Sequence, residues 1–245
     1  ALVARTRVIC TTVGPYAKYG TPLVAACVEA GTHYCDLTGE VQWMARVIPQ
    51  YQHAAEASGA RIVHTCGFDS VPFDMGNWYL QQVMFERHGA YARQVKARVG
   101  RNRGAASGGT IASILNMMEE ARRDPSIRRQ VANPYALYPS GIPAGQDGPD
   151  QTGAIFDEDF KQWTSPFIMA AINTRVVRRS NALLGFPWGR DFRYDEATLN
   201  KSLYKAVLTS VAGGVGLVAL AMGPTRALAQ RFLPKPGEGP SREQR

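Results

Sequence analysis

An α/β fold built on a parallel sheet is what this sequence predicts, and three observations predict it. From residue 7 to about residue 80, short β-branched runs alternate with longer helical runs across short links. Each predicted strand ends in a loop of unusual residues: Thr11-Thr-Val-Gly-Pro-Tyr16, then Asp36-Leu-Thr-Gly-Glu40, then Gly67-Phe-Asp-Ser-Val-Pro-Phe-Asp74. The composition suits an ordinary globular chain, since 245 residues with 45% hydrophobic and 20% charged content are enough for one large domain or two modest ones.

The elements follow in order. Arg7-Val-Ile-Cys-Thr-Thr-Val13 reads as a buried strand that stops at the Gly14-Pro15 turn. Thr21 to Ala30 sets Leu23, Val24, Cys27 and Val28 at helical spacing, with Gly31 as the C-cap. His33 to Leu37 is a second short strand, and Val41 to Ser58 an amphipathic helix stopped by Gly59. Arg61-Ile-Val-His-Thr-Cys66 is a third strand. Asp69 or Ser70 then caps a helix that carries Pro72 in its first turn. Ligands of open parallel sheets sit beyond the carboxyl ends of the strands, so three special loops at three consecutive strand ends read as one shared cleft. Taken singly, each has a plainer reading: Gly14-Pro15 a tight turn, Asp36 a loop cap, Asp69 an N-cap. A chain that opens without methionine almost inside a strand predicts that the first half of the sheet lies upstream.

Past residue 82 the rhythm changes. Val95 to Val99 alternates as a half-exposed strand, and Gly109 to Arg123 reads as a helix with one apolar face. Pro134 to Gly153, rich in Pro, Gly and polar residues, reads as an exposed loop or cover. Trp163 to Ile172 is apolar enough either to line an acyl pocket or to serve as ordinary core. Ala206 to Gly223 carries no charge and is flanked by Lys201, Lys205, Arg226, Arg231 and Lys235. That pattern suits a helix lying on anionic lipid, and Gly213, Gly214, Gly216 and two hydroxyls weaken it as a spanning helix; a buried helix or hairpin is the alternative. Residues 233–245 read as a solvated linker.

The formal net charge of +8 is compatible with anionic lipid or a phosphate-bearing cofactor. Its Lys and Arg residues are dispersed and no nucleic-acid-binding signature accompanies them, which argues against a nucleic-acid partner. Cys10, Cys27, Cys35 and Cys66 stand one at a time with no C-x-x-C pair, as reduced thiols of a cytoplasmic protein do. His33 and Cys35 are two potential metal ligands, and two alone do not make a site. No Walker A loop or nucleophile elbow occurs.

The run VGPYAKYGTPLVAACVEAGTHYCDLTGE, followed by GFDSVPFDMG, resembles the saccharopine dehydrogenase-like oxidoreductases. Within them it is most similar to the trans-acting enoyl reductases of long-chain polyketide lipid pathways. The resemblance is specific over residues 8 to about 80 and weaker through Arg98 to Thr110. It implies that residues 1–82 form the second half of a Rossmann-like parallel sheet. Residues 83–232 would then form an incomplete α+β domain that shapes the substrate pocket. The G-x-G-x-x-G turn that opens such folds is absent from this sequence, as expected if it lies upstream.

The resemblance also implies NADPH (NADP) as cofactor and a lipid or polyketide acyl substrate, presented on a carrier protein. Thr12, Val13, Gly14, Pro15 and Tyr16 would run beside the ribose and nicotinamide. Asp36 and Leu37, with Gly39 and Glu40 after them, would close the nicotinamide end, and Gly67, Phe68 and Asp69 would form the far wall. Reduction of an activated double bond needs orientation, a polar group for the developing enolate and a proton source. Tyr16 is the first candidate donor, with Asp69 and Asp36 as carboxylate candidates; Tyr16 is equally readable as a packing residue. Two rival readings stand. One is a saccharopine reductase-type enzyme, with Arg98, Arg101 and Arg103 as the carboxylate clamp. The other is a non-catalytic lipid-surface protein that keeps the fold.

Overall fold

The computed structural model describes residues 2–100 and 108–221. The first part alternates as expected: β1 (Val8–Thr11), α1 (Tyr16–Ala30), β2 (His33–Asp36), α2 (Val41–Ser58), β3 (Ile62–Val63) and α3 (Val71–His88). The three strands form a parallel sheet in the order β1-β2-β3, with Val8 opposite His33, Thr11 opposite Asp36 and Cys35 opposite Val63. The chain is therefore an α/β protein. Helices α1 and α2 pack together over one face of this sheet, where Ile9, Val24, Cys27, Tyr34, Val41 and Trp43 form the core. The opposite face is open among the described residues: Val8 and Val63 are half exposed, and Cys10 is exposed.

Local departures from the sequence pattern have physical causes. Helix α1 starts at Tyr16, five residues before the Thr21 that its periodicity marks, because its first N–H groups are capped by a residue far along the chain. Gly20 lies inside it because a Cβ there would fall 2.6 Å from the buried ring of Trp43. Strand β3 is only two residues long, since Thr65 turns the chain aside with a φ of 60°. At α3 neither expected cap forms: the Ser70 hydroxyl makes no capping bond and instead donates to Asn173 Oδ1 at 2.9 Å. Pro72 does lie in the first turn.

Beyond β4 (Gln94–Val99) come α4 (Gly108–Arg123), α5 (Pro125–Ala132), β5 (Ile155–Asp157), β6 (Gln162–Pro166), α6 (Ala170–Leu183), β7 (Arg193–Asn200) and α7 (Leu203–Ala221). The second sheet is mixed, in the order β4-β7-β6-β5, with β4 parallel to β7 and the other pairs antiparallel. Residues 134–153 form neither helix nor strand, but they are pinned rather than loose. Asp147 accepts from the Arg178 guanidinium at 2.7 Å, and its own N–H donates to the Tyr135 hydroxyl. Trp163 to Ile172 spans β6 and the start of α6; Ile172 joins the core of the first sheet and Met169 packs against it.

A buried polar chain ties the two sheets together. Ser70 donates to Asn173, the Asn173 amide donates to Glu196 Oε2 at 3.1 Å, and the Tyr194 hydroxyl donates to Glu196 Oε1 at 3.0 Å. All four residues are almost fully buried. Burial pushes the Glu196 carboxyl up to about 7, against the opposing pull of the Asn173 and Tyr194 bonds. The folded value is the higher one, so the stability it contributes is complete below the ordinary 4.5 and is lost as pH rises through about 7. Over that window the change is on the order of 3 kcal/mol. Glu196→Gln, neutral throughout, is expected to melt with the parent at about pH 4.5 and above it at about pH 8. Thermal unfolding followed by circular dichroism across that range checks this; identical pH dependence in the two proteins contradicts it.

Candidate functional site at the strand ends

Two buried carboxylates and one hydroxyl build the carboxyl edge of the first sheet. Asp36, at the end of β2, is fully buried. Its Oδ1 accepts from the N–H of Thr38 at 3.0 Å and of Thr65 at 3.1 Å, and its Oδ2 lies 2.7 Å from His64 Nδ1. Its backbone carbonyl accepts from Cys66 N–H at 2.7 Å. One side chain thus fixes its own loop and the end of β3. A β-branched residue in the left-handed region costs about 1–2 kcal/mol. The Thr65 N–H bond to the carboxylate returns about as much or more, so the turn holds. Facing a carboxylate, His64 Nδ1 carries the proton. Its Nε2 is buried and without a partner among the described residues.

Glu40 does the same work for the first loop. Its Oε1 accepts from Tyr16 N–H at 2.7 Å and from the Ser113 hydroxyl at 2.8 Å, while Oε2 accepts from Ala17 N–H at 3.0 Å. Two of the four N–H groups that any helix start leaves open are satisfied this way. Burial pushes this carboxyl upward, and the three donated bonds pull it back. Ser113 belongs to α4, so Glu40 also fastens the second part of the chain to the first. Gly14 permits the approach, since a Cβ there would sit 3.0 Å from Ser113 Oγ.

Tyr16 bridges β1 and β2. Its hydroxyl donates to the Thr11 carbonyl at 3.1 Å and accepts from Leu37 N–H at 3.3 Å, and its ring stacks on Trp43. Burial raises it to about 12, with the Leu37 bond opposing.

The residues named from sequence therefore divide in two. Tyr16 and Asp36 are buried and committed to holding strand ends. Thr12, Val13, Leu37, Phe68 and Asp69 are exposed along the same edge, with Val13 60% and Phe68 89% exposed. Gly14, Pro15 and Gly67 lie between, half-buried; a Cβ on Gly67 would touch the Leu37 side chain. Asp69 has no hydrogen-bonding partner among the described residues, and burial raises its carboxyl above the usual aspartate range. Of the rival carboxylate clamp, Arg98 is occupied by Asp157 at 2.7 Å and by Asp195; Arg101 and Arg103 lie outside the described residues. His33, paired with Cys35 in the sequence reading, accepts from Arg61 N–H through Nδ1. Sequence reasoning missed the linking roles of His64, Glu40 and Ser113. Only His64 left a trace, as a polar residue closing the strand beside Asp36.

A dinucleotide fits part of this edge. The α1 N-terminus, where a diphosphate would otherwise be drawn, is filled by the protein's own Glu40 carboxylate. The rim of Val13, Leu37 and Phe68 offers exposed apolar surface to a flat ring.

The fold is that of an α/β protein with one parallel and one mixed sheet. The chain is 43% identical over 254 aligned positions to a Mycobacterium tuberculosis protein that carries the provisional name trans-acting enoyl reductase. That alignment covers 98% of this chain and 61% of the relative. Trans-acting enoyl reductases of Mycobacterium bovis and Mycobacterium ulcerans are 38% and 39% identical, over 99% and 100% of this chain and 62% of each relative. The chain thus spans about three fifths of the relatives it matches. No protein-family profile matches it, and no solved structure does.

Proposed function

We propose that this chain supplies the nicotinamide side of the cofactor cleft, and part of the substrate-shaping domain, of an NADPH-dependent enoyl reductase. Its substrate is an unsaturated polyketide or long-chain lipid acyl group presented on a carrier protein. The observation that carries the reading is the convergence of three strand-end loops on one edge, knitted by Asp36 and rimmed by Val13, Leu37 and Phe68. The names of the relatives point to the same reaction. The wider resemblance to saccharopine dehydrogenase-like proteins supports an upstream half-sheet beside β1, which is an edge strand with an uncovered outer face. Residues 1–82 and 83–232 are then the two domains.

When bound, NADPH supplies a hydride to one carbon of the double bond. The chain's own groups orient the partners and provide the proton for the other carbon. Tyr16 and Asp36 act as positioning residues, since their polar atoms are already bonded to backbone and to His64. Asp69 is the proton donor: it is exposed at the rim, and its raised affinity for a proton suits a general acid.

The protein is cytoplasmic and lies against membrane through α7, which covers 206–221 of the 206–223 segment. The helix is long and apolar enough to cross a bilayer, with mean hydropathy 1.6 over Leu203–Leu220 and only 6% of that window buried. Its two aliphatic hydroxyls are turned back onto the helix, Thr209 to the Lys205 carbonyl and Ser210 to the Ala206 carbonyl, so neither meets lipid unpaired, and the exposed Tyr204 lies in the first turn. Exposed Lys201 and Lys205 face anionic headgroups at one end. Arg226, Arg231 and Lys235, at the other, lie outside the described residues, as does the linker at 233–245.

Cofactor fluorescence tests the enzyme reading in this chain and in one extended upstream. The extended chain is expected to bind NADPH in preference to NADH and to reduce an enoyl thioester. Asp69→Asn is expected to lower kcat by about 100-fold with NADPH binding unchanged. Failure of both chains to bind either cofactor overturns the reading. Flotation with anionic vesicles tests the lipid contact: the chain is expected to float and to stop floating when 206–221 is deleted. A chain that stays with the soluble fraction contradicts it.

A further inference from the structure

Helix α6 carries three arginines, and only two of them have a carboxylate. Arg175 is buried against Asp150, and Arg178 is buried against Asp147 at 2.7 Å. Arg179 has no acidic partner among the described residues. Its one bond is from Nη1 to the Leu137 carbonyl at 2.7 Å, and burial alone lowers its hold on its proton. A half-buried guanidinium without a counter-charge is costly unless an anion reaches it.

What Arg179 faces is a cavity of about 510 Å³ between α2, β3, α3 and α6, within the roughly 300–1,000 Å³ typical of small-molecule sites. Its longest wall is a helical stripe of α2, Met44, Val47, Ile48, Tyr51 and Ala55, which presents carbon along about three turns. On α6, Val176 and Leu183 continue this apolar lining on either side of Arg179 and Ser180. Polar groups share the lining: Gln52 on α2, and Thr65 and Ser70 beyond β3. Asp74 lines the cavity from α3, with Oδ2 accepting from Ser180 Oγ at 3.0 Å and Oδ1 buried without a partner among the described residues. Burial raises the Asp74 carboxyl above the ordinary aspartate range, while the Ser180 hydrogen bond pulls it back. His64, just past β3, lines the cavity with its Nε2 buried and without a partner among the described residues, and Glu56 is an exposed residue of the lining. A narrow apolar trough with one uncompensated cation fits a single-chain amphiphile with an anionic head.

We propose that this cavity binds a free long-chain carboxylate, its head on Arg179 and its chain along α2. Such a ligand differs from an acyl thioester, which carries no charge at its carbonyl end. The site therefore stands whether or not the strand edge reduces double bonds.

The test is a fluorescence titration with cis-parinaric acid and its methyl ester, which share a chain and differ in head charge. The acid is expected to bind the native chain at least tenfold more tightly than the ester. Arg179→Met is expected to weaken the acid by about 10- to 100-fold, as loss of a charge-assisted contact does, and to leave the ester within about twofold. Arg179→Lys should keep most of the acid affinity, and Ala55→Trp, which fills the trough, should weaken both probes. Equal affinity of native protein for acid and ester, or no binding of either, overturns the proposal. So does equal weakening of both probes by Arg179→Met. The comparison on the native chain decides even if a variant does not fold.

Discussion

The Asp36 carboxylate is the constraint on which the ligand edge depends. It terminates β2, receives the N–H groups of Thr38 and Thr65, and orients His64. Without an acceptor there, Thr65 would have no reason to adopt the left-handed conformation that ends β3 after two residues. That early turn lets the Gly67–Asp69 loop stand beside Leu37, and it sets the direction in which α3 departs toward the second sheet. A buried acidic group is costly unless its lone pairs are taken, and here three donors take them.

Glu40 extends the same device. A helix start in a compact fold needs acceptors for its first N–H groups, and α1 obtains them from a residue 24 positions later. The same carboxylate holds Ser113, so the cap of α1 and the placement of α4 are one interaction. The Ser70–Asn173–Glu196–Tyr194 chain makes the second junction. Both junctions are polar, the first part-buried and the second fully buried, which specifies one relative placement of the two sheets more narrowly than an apolar contact would.

What was legible in the sequence were features set locally. The alternation of strand and helix, the glycine stops at Gly31 and Gly59, and the three special loops depend on neighbours within a few residues. The exposed rim of Val13, Leu37 and Phe68 followed from those loops. What was not legible depends on partners distant in the chain. The start of α1 rests on Glu40, and Ser70 forgoes the helix it could cap for an asparagine 103 residues away. Tyr16 looked like a proton donor because it ends a strand loop; only the fold shows both of its hydroxyl bonds spent on the backbone. The mixed order of the second sheet is of the same kind, because β4 and β7 pair across more than ninety residues.

Amide hydrogen exchange in an Asp36→Ala variant tests most directly whether Asp36 organises the strand ends. Removing the acceptor is expected to speed exchange at Thr38 and Thr65 by about 10- to 100-fold, while amides inside β1 and α1 keep their protection. Undiminished protection at Thr38 and Thr65 would show that the edge is held by something else.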